Sequence, residues 1–386
     1  MENIKRFEDI CMHEGEDTRK FLGAVVPPIF QNTLFTHEPG TASDFVYTRD
    51  NNPTTQIAEK KIAALEGAED AICFSTGMAA ITSAVLSCIK KDSHVISVGN
   101  IYSGTRCFLE GYMTRFGIKV TFVSGEDPSE FEDSIQHDTS LIIMESPSSI
   151  VFSLQDIREV AEIAKRRGIK TIIDNTWSTP IYQNPLEMGV DIVVHSASKY
   201  LGGHSDIVGG AAAGSSELIR GLMKNERLLL GACMDPHQSW LLIRGLRTLP
   251  IRMKQHSENA GKTAEFLEGH SAVAQLFYPG SKNHPQFELA KSQQRGHSGL
   301  MSFVLKDMSI TKLRKFYSAL KLFQFGQSWG GFESLAIPVR ARAYTKYHKE
   351  FANENGSIDL IRISVGLESI DSILQALEDA LDVVRD

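Results

Sequence analysis

The chain has 386 residues, 42% of them hydrophobic and 23% charged, with a formal net charge of −7. Lysine and arginine are scattered among aspartate and glutamate without a basic run, so nucleic acid is not an expected partner. No apolar stretch is long enough to span a bilayer, and residues Met1 to Arg19 lack an apolar leader core, which makes the cytoplasm the expected location.

The length predicts two or three packed units. Residues 1 to about 48 have few helical stripes and include Pro27, Pro28, Pro39 and Gly40. They read as an extended arm, too poor in apolar periodicity to form a core and expected to contact a neighbouring subunit. From 49 to 245, short apolar runs alternate with helical patterns. Ala71–Phe74, His94–Val98, Leu141–Met144, Thr171–Ile173 and Ile192–Val194 read as strands, with helices over Met78–Lys90 and Leu154–Gly168. Continuous Ile/Val runs separated by helices predict a mainly parallel sheet covered on both faces. From 246 to 386 the pattern becomes that of a smaller α+β unit: a helix over Met253–Leu267, strands at Leu300–Leu305 and Ile361–Val365, and a last helix from Ile370 to Val384.

Ligands of open parallel sheets sit beyond the carboxyl ends of the strands, so the polar residues that end the runs matter most. Phe74-Ser75-Thr76-Gly77-Met78 joins a strand to a helix, and helix-start N–H groups there could bind phosphate; a plain turn would look the same. Asp174 follows a buried strand, as a ligand carboxylate or as a helix cap. Ile192-Val193-Val194-His195-Ser196-Ala197-Ser198-Lys199 leaves a strand with two hydroxyls and a lysine, followed by Gly202 and Gly203. That lysine is either snorkelling to solvent or desolvated enough to be a nucleophile. An amine for an aldehyde, a carboxylate for a ring nitrogen and donors for a phosphate are the needs of pyridoxal 5'-phosphate (PLP). Asp174 and Lys199 lie one strand–helix–strand step apart, which brings both to the same sheet edge.

The sequence resembles the Cys/Met-metabolism PLP enzymes, a family that includes cystathionine γ-synthase, cystathionine β- and γ-lyases and methionine γ-lyase. The likeness runs from Thr18 through Glu368, and its most specific block is Asp174–Pro180 together with Ser196–Asp206. The resemblance implies a type I PLP-dependent transferase fold and an enzyme that cleaves a carbon–sulfur bond of a cystathionine-type amino acid. It implies that Lys199 holds the cofactor and shuttles the substrate proton, and that Asp174 pairs with the ring nitrogen. Gly77 and Met78 would give amides to the phosphate, with Ser196 and Ser198 adding hydroxyls. Tyr102 would stack on the ring, acting with Lys199 in catalysis and touching substrate. Arg362 would clamp the substrate carboxylate, assisted by Ser328. Tyr47 and Arg49 would reach the phosphate of a neighbouring subunit, within a homotetramer built as a dimer of dimers. From the residues alone, Tyr102 could equally be a core aromatic, Tyr47 and Arg49 a surface pair, and Arg362 a solvent-facing strand residue.

The sequence departs from the family pattern at Ser198, where the family has threonine. It departs again in Glu145-Ser146-Pro147-Ser148-Ser149-Ile150, which lacks Asn-Pro, at Cys107 in place of an arginine, and at Trp329 in place of leucine. The Glu-Ser-Pro-Ser-Ser-Ile and Ser-Trp-Gly-Gly segments are most similar to bacterial cystathionine β-lyases. γ-Elimination, γ-replacement on an activated homoserine, an aminotransferase activity and a PLP-binding regulatory role are the competing expectations. Five cysteines without a CxxC pair argue against a disulfide framework and a zinc site, and the histidines form no metal-binding spacing, so no metal is expected.

Overall fold

The computed structural model describes residues 6–341 and 358–385. Its centre is a seven-stranded sheet: β1 Asp70–Phe74, β2 His94–Val98, β3 Lys119–Val123, β4 Thr139–Glu145, β5 Lys170–Asp174, β6 Ile192–His195 and β7 Gly210–Gly214. The strand order is β1-β7-β6-β5-β4-β2-β3. The pairs from β3 through β6 are parallel, and β7 runs antiparallel to both β6 and β1. The expected mainly parallel sheet is therefore present. Its interior residues Ile142, Ile172, Ile173 and Val193 are wholly buried, because helices cover both faces.

β7 was not expected, since Gly210-Ala211-Ala212-Ala213-Gly214 carries no β-branched or aromatic residue. The reason is steric. A Cβ on Gly210 would lie 2.2 Å from the Thr76 carbonyl oxygen, so a residue without a side chain at this point lets the start of the helix after β1 pack this closely.

Phe7–His13 forms a first helix, α1, where an extended run was expected, and it buries Ile10 and Cys11 on its own chain. The second helix, α2, runs over Pro53–Glu66; Asn52 caps it by accepting from Thr54 N, and Gly67 ends it at φ 67°. Lys61 of α2 is fully buried, with its Nζ 3.0 Å from Glu16 and donating to Cys11 O (3.0 Å). Glu16 is also held by Arg247 (2.9 Å). Residues before Gly23 are thus tied to the main body by a buried charge pair.

The third helix, α3, covers Gly77–Cys88, and the fourth, α4, covers Ile157–Arg166 behind an Asp156 cap. Pro236–Arg247 and Leu249–Gly269 form α5 and α6. The second sheet contains β8 Val273–Phe277, β9 Leu300–Leu305, β10 Gln324–Phe325, β11 Leu335–Ala341 and β12 Ile358–Ser364, in the order β10-β11-β12-β9-β8. Ile310–Ala319 (α7) and Ile370–Asp382 (α8) pack on it. α6 reaches this sheet through two polar contacts, His256 Nδ1 to Val365 O (2.8 Å) and Asn259 Nδ2 to Gly366 O (3.0 Å). No described helix is long and apolar enough to cross a membrane.

Lys61→Ala is expected to lower stability by about 3 kcal/mol, because it leaves the Cys11 carbonyl without its donor, Glu16 with Arg247 alone, and a cavity where the buried side chain stood; urea unfolding curves measure the loss.

Candidate active site

The carboxyl ends of β4, β5 and β6 lie side by side, and each ends in a polar residue. Glu145 and Asp174 stand in register on neighbouring strands, so their side chains share one face. Asp174 accepts from Thr176 N (2.9 Å) and from the Thr176 hydroxyl (2.5 Å), and the Thr176 hydroxyl accepts from Ser196 N (2.8 Å). This short chain of bonds locks the end of β5 to the end of β6. Burial pushes the Asp174 carboxyl up, opposed by the Thr176 bonds and by the charges of His195 and Lys199.

Lys199 follows β6 in a tight turn in which Gly202 N donates to Ala197 O (2.8 Å) and Gly203 N to Lys199 O (2.8 Å). Gly203 sits at φ 69°, and a Cβ there would overlap the Arg252 guanidinium. Arg252, from α6, passes through that space to donate to Tyr200 O and Gly245 O, each at 2.8 Å. Gly203 thus leaves room for a buried arginine, while a Cβ on Gly202 would meet Ile207 and the Ala197 carbonyl.

The Lys199 ammonium donates to the Ser328 hydroxyl (3.0 Å) and lies 5.7 Å from the centre of the Trp329 ring. Burial and the nearby Arg362 charge lower its pKa, and Asp174 pulls the other way. Arg362 projects from β12 between the buried Ile361 and Ile363, on the opposite face from both, and donates to Gln327 O (2.8 Å).

On the other side of the cavity, α3 begins. Its Thr76 cap takes Ala79 N, and the first intrahelical bond runs from Ala80 N to Thr76 O, so the Gly77 and Met78 amides are the first-turn donors left for a ligand. A Cβ on Gly77 would lie 2.7 Å from the Ser196 hydroxyl oxygen. Only glycine lets these backbone donors and that hydroxyl converge on one anion. Tyr102 covers the cavity edge, its ring made possible by Gly104, where a Cβ would stand 2.5 Å from the Tyr102 ring.

Gly77, Met78, Tyr102, Asp174, Ser196, Lys199 and Arg362 all line one cavity of about 440 Å³, and Ser328 joins them through Lys199. Ser198 lies apart from this lining: its hydroxyl donates to Gly209 O (3.3 Å) and accepts from Gly209 N (3.0 Å). Tyr47 and Arg49 are exposed and stack on each other at 5.1 Å, outside the cavity of their own chain. Cys107 is exposed, while Arg106 stacks on Phe122 and pairs with Glu110 (2.7 Å).

Glu145 has no expected role in the sequence reading, yet it faces the cavity. It accepts from Tyr102 N (2.8 Å) and from the Ser149 hydroxyl (2.6 Å), which fixes the tyrosine's backbone and the loop after β4. Burial and the neighbouring Asp174 push its carboxyl up to about 8. Its position at the end of an apolar run is the same signal that marks Asp174. On the rear face, His195 Nε2 meets the buried Glu66 carboxylate at 2.5 Å, and Asn175 Nδ2 donates to the same oxygen (3.0 Å).

A partly desolvated amine, a buried carboxylate, free amides at a helix start and a guanidinium, gathered in one cavity, match what PLP needs in an amino-acid-transforming site. The donor set fits the cofactor: Lys199 for its aldehyde, Asp174 for its ring nitrogen, and Gly77, Met78 and Ser196 for its phosphate. The chain belongs to the Cys/Met metabolism PLP-dependent enzyme family, whose model matches residues 8–382. It is 39% identical over 376 residues to a cystathionine gamma-lyase of Bacillus subtilis, with 97% of this chain and 98% of that protein covered. It is 38% identical over 376 residues to a cystathionine beta-lyase of Lactococcus lactis subsp. cremoris, with 96% and 97% covered. The crystal structure of metB from Corynebacterium glutamicum superposes with a TM-score of 0.91 at 33% identity, covering 99% of each chain. The fold is that of the type I PLP enzymes.

In the folded chain Glu145 holds its proton to about 8, against 4.5 for an ordinary glutamate. Between those values the folded state binds more protons than the unfolded one, so this group's contribution to stability falls as pH rises through the window and levels off above it. Glu145→Gln should therefore gain stability relative to wild type across that window, read from urea midpoints of cofactor-free protein at pH values spanning it.

Proposed function

We propose that the chain is a PLP-dependent carbon–sulfur lyase that acts on a cystathionine-type amino acid and releases a thiol, a 2-oxo acid and ammonia. The observation that carries this reading is the Lys199 amine, of lowered pKa, standing between Asp174 and Arg362 and within 3.0 Å of Ser328. When bound, the cofactor supplies an electron sink for charge that develops at the substrate Cα. The residues do the rest. Arg362 grips the substrate carboxylate as a planar fork and so orients the Cα–H bond toward Lys199. The Lys199 amine takes the Cα proton, and the burial that lowers its pKa favours the neutral, basic form. Asp174 keeps a proton on the ring nitrogen. The C–S bond breaks with its electron pair leaving on sulfur, and water then converts the released unsaturated amino acid to 2-oxo acid and ammonia. Tyr102 covers the site, and Ser328 receives the lysine's hydrogen bond and holds it in line. β-Elimination is the direction favoured by the resemblance of Glu145–Ile150 and Ser328–Gly331 to bacterial cystathionine β-lyases, and γ-elimination is the alternative that the 39% identical cystathionine gamma-lyase keeps in view.

The active unit is a homo-oligomer, with a tetramer as the expected form. Leu22 is fully exposed, Val25 is 80% exposed and Leu34 59%, an apolar display on the arm that a second copy would cover. Tyr47 and Arg49, exposed on the same arm, would then reach the phosphate site of that copy. The cytoplasm is the proposed location, in keeping with five free cysteines.

Purified protein given cystathionine is expected to yield pyruvate; 2-oxobutyrate would instead mark γ-elimination. Lys199→Ala should lower turnover at least ~10³-fold and lose the borohydride-fixed cofactor. Mixing Arg49→Ala and Lys199→Ala subunits, each poorly active alone, should restore up to about a quarter of wild-type activity, because hybrids contain one intact shared site. No recovery in verified hybrids would reject the shared site.

A further inference from the structure

After β4 the chain closes a tight loop over residues 148–153. Ser148 N donates to Ser153 O (2.8 Å), and Asn100 Nδ2 donates to both the Ser148 and Ser153 hydroxyls, each at 2.6 Å. Ser149 N donates to Asn100 O (3.1 Å), and its hydroxyl donates to Glu145 (2.6 Å). Val151 N donates to Ser149 O (2.9 Å), which makes Ile150 the centre of a three-residue turn at φ 75°.

A positive φ is an outlier for a β-branched residue, and a γ-turn of this hand is rare and strained. Glycine would occupy the position without penalty. The bonds that close the loop are all made by backbone groups, by serine and asparagine side chains and by Glu145, so none of them calls for a branched apolar residue at 150. The strain is held in place by the surrounding bonds, as it is where a constrained side chain has a task. The Ile150 side chain lines the cavity that holds Lys199 and Arg362. It packs against the core of the second sheet, as do Trp329 and Val339, which line the same cavity.

We infer that Ile150 is a specificity-determining residue: its side chain, with Val339 and Trp329, forms an apolar wall that limits the size of the substituent on the substrate sulfur. The inference rests on the carbon–sulfur lyase reading and deepens it. The wall admits a slender, unbranched S-substituent, as cystathionine carries, and resists a bulky ring. If Ile150 served packing alone, replacing it would alter stability without altering the choice between substrates.

The test uses the holoenzyme with S-methyl-L-cysteine and S-benzyl-L-cysteine, in wild type, Ile150→Gly and Ile150→Ala. Both variants should raise the benzyl-to-methyl ratio of kcat/KM on the order of 10-fold. The ratio is taken within each protein, so a reduced folded fraction cancels. Ile150→Gly should also melt above Ile150→Ala, because only glycine relieves the positive φ. An unchanged ratio in both variants overturns the inference. If wild type turns over neither compound, calorimetric titration of the same two amino acids decides: a shifted affinity ratio supports the wall, and an unshifted one refutes it; only failure on cystathionine as well overturns the lyase reading.

Discussion

The site depends on one constraint, a lysine amine kept from full hydration at the edge of a parallel sheet. Its charge is opposed by the Arg362 guanidinium and favoured by the Asp174 carboxylate, and burial decides the balance toward the neutral form. Each surrounding feature serves that placement. The Ser196–Thr176–Asp174 bonds fix the strand ends from which the lysine turn springs. The Ser328 hydroxyl receives the ammonium, and Arg252 pins the backbone just past it.

The carboxylates around this amine are arranged as an uneven pair. Asp174 is stabilised by two bonds from Thr176 and by the charges of His195 and Lys199, while Glu145 has only neutral donors and a like charge beside it. One acid is therefore suited to face a cationic ring and the other to retain a proton. On the rear face the buried Glu66 and His195 side chains bond to each other at 2.5 Å, tying the same sheet edge to α2.

Much of this was legible in the sequence, for a physical reason. Buried parallel strands are continuous apolar runs, so the polar residue that ends each run stands out, and Asp174 and Lys199 were found that way. The same signal marks Glu145, which drew attention only as part of a loop. β7 was hidden because its Gly-Ala-Ala-Ala-Gly composition answers to the helix packed on it rather than to strand propensity. α1 was hidden because so short a helix depends on burial of Ile10 and Cys11 against distant residues. The bonds of the Ser198 hydroxyl to the Gly209 backbone could not be read from sequence, since Gly209 has no polar side chain to announce them. The strained turn at Ile150 has no sequence signature at all, because isoleucine is the residue least expected there.

The helix Leu249–Gly269 has a consequence for substrate size. Arg252 near its start holds the turn that carries the lysine, and Asn259 two turns on holds the end of the strand that carries Arg362. Those two anchors are separated by roughly 10 Å of continuous helix. If Lys199 and Arg362 take the roles proposed for them, the spacing between the amine and carboxylate ends of a bound α-amino acid is thus set in part by one helix.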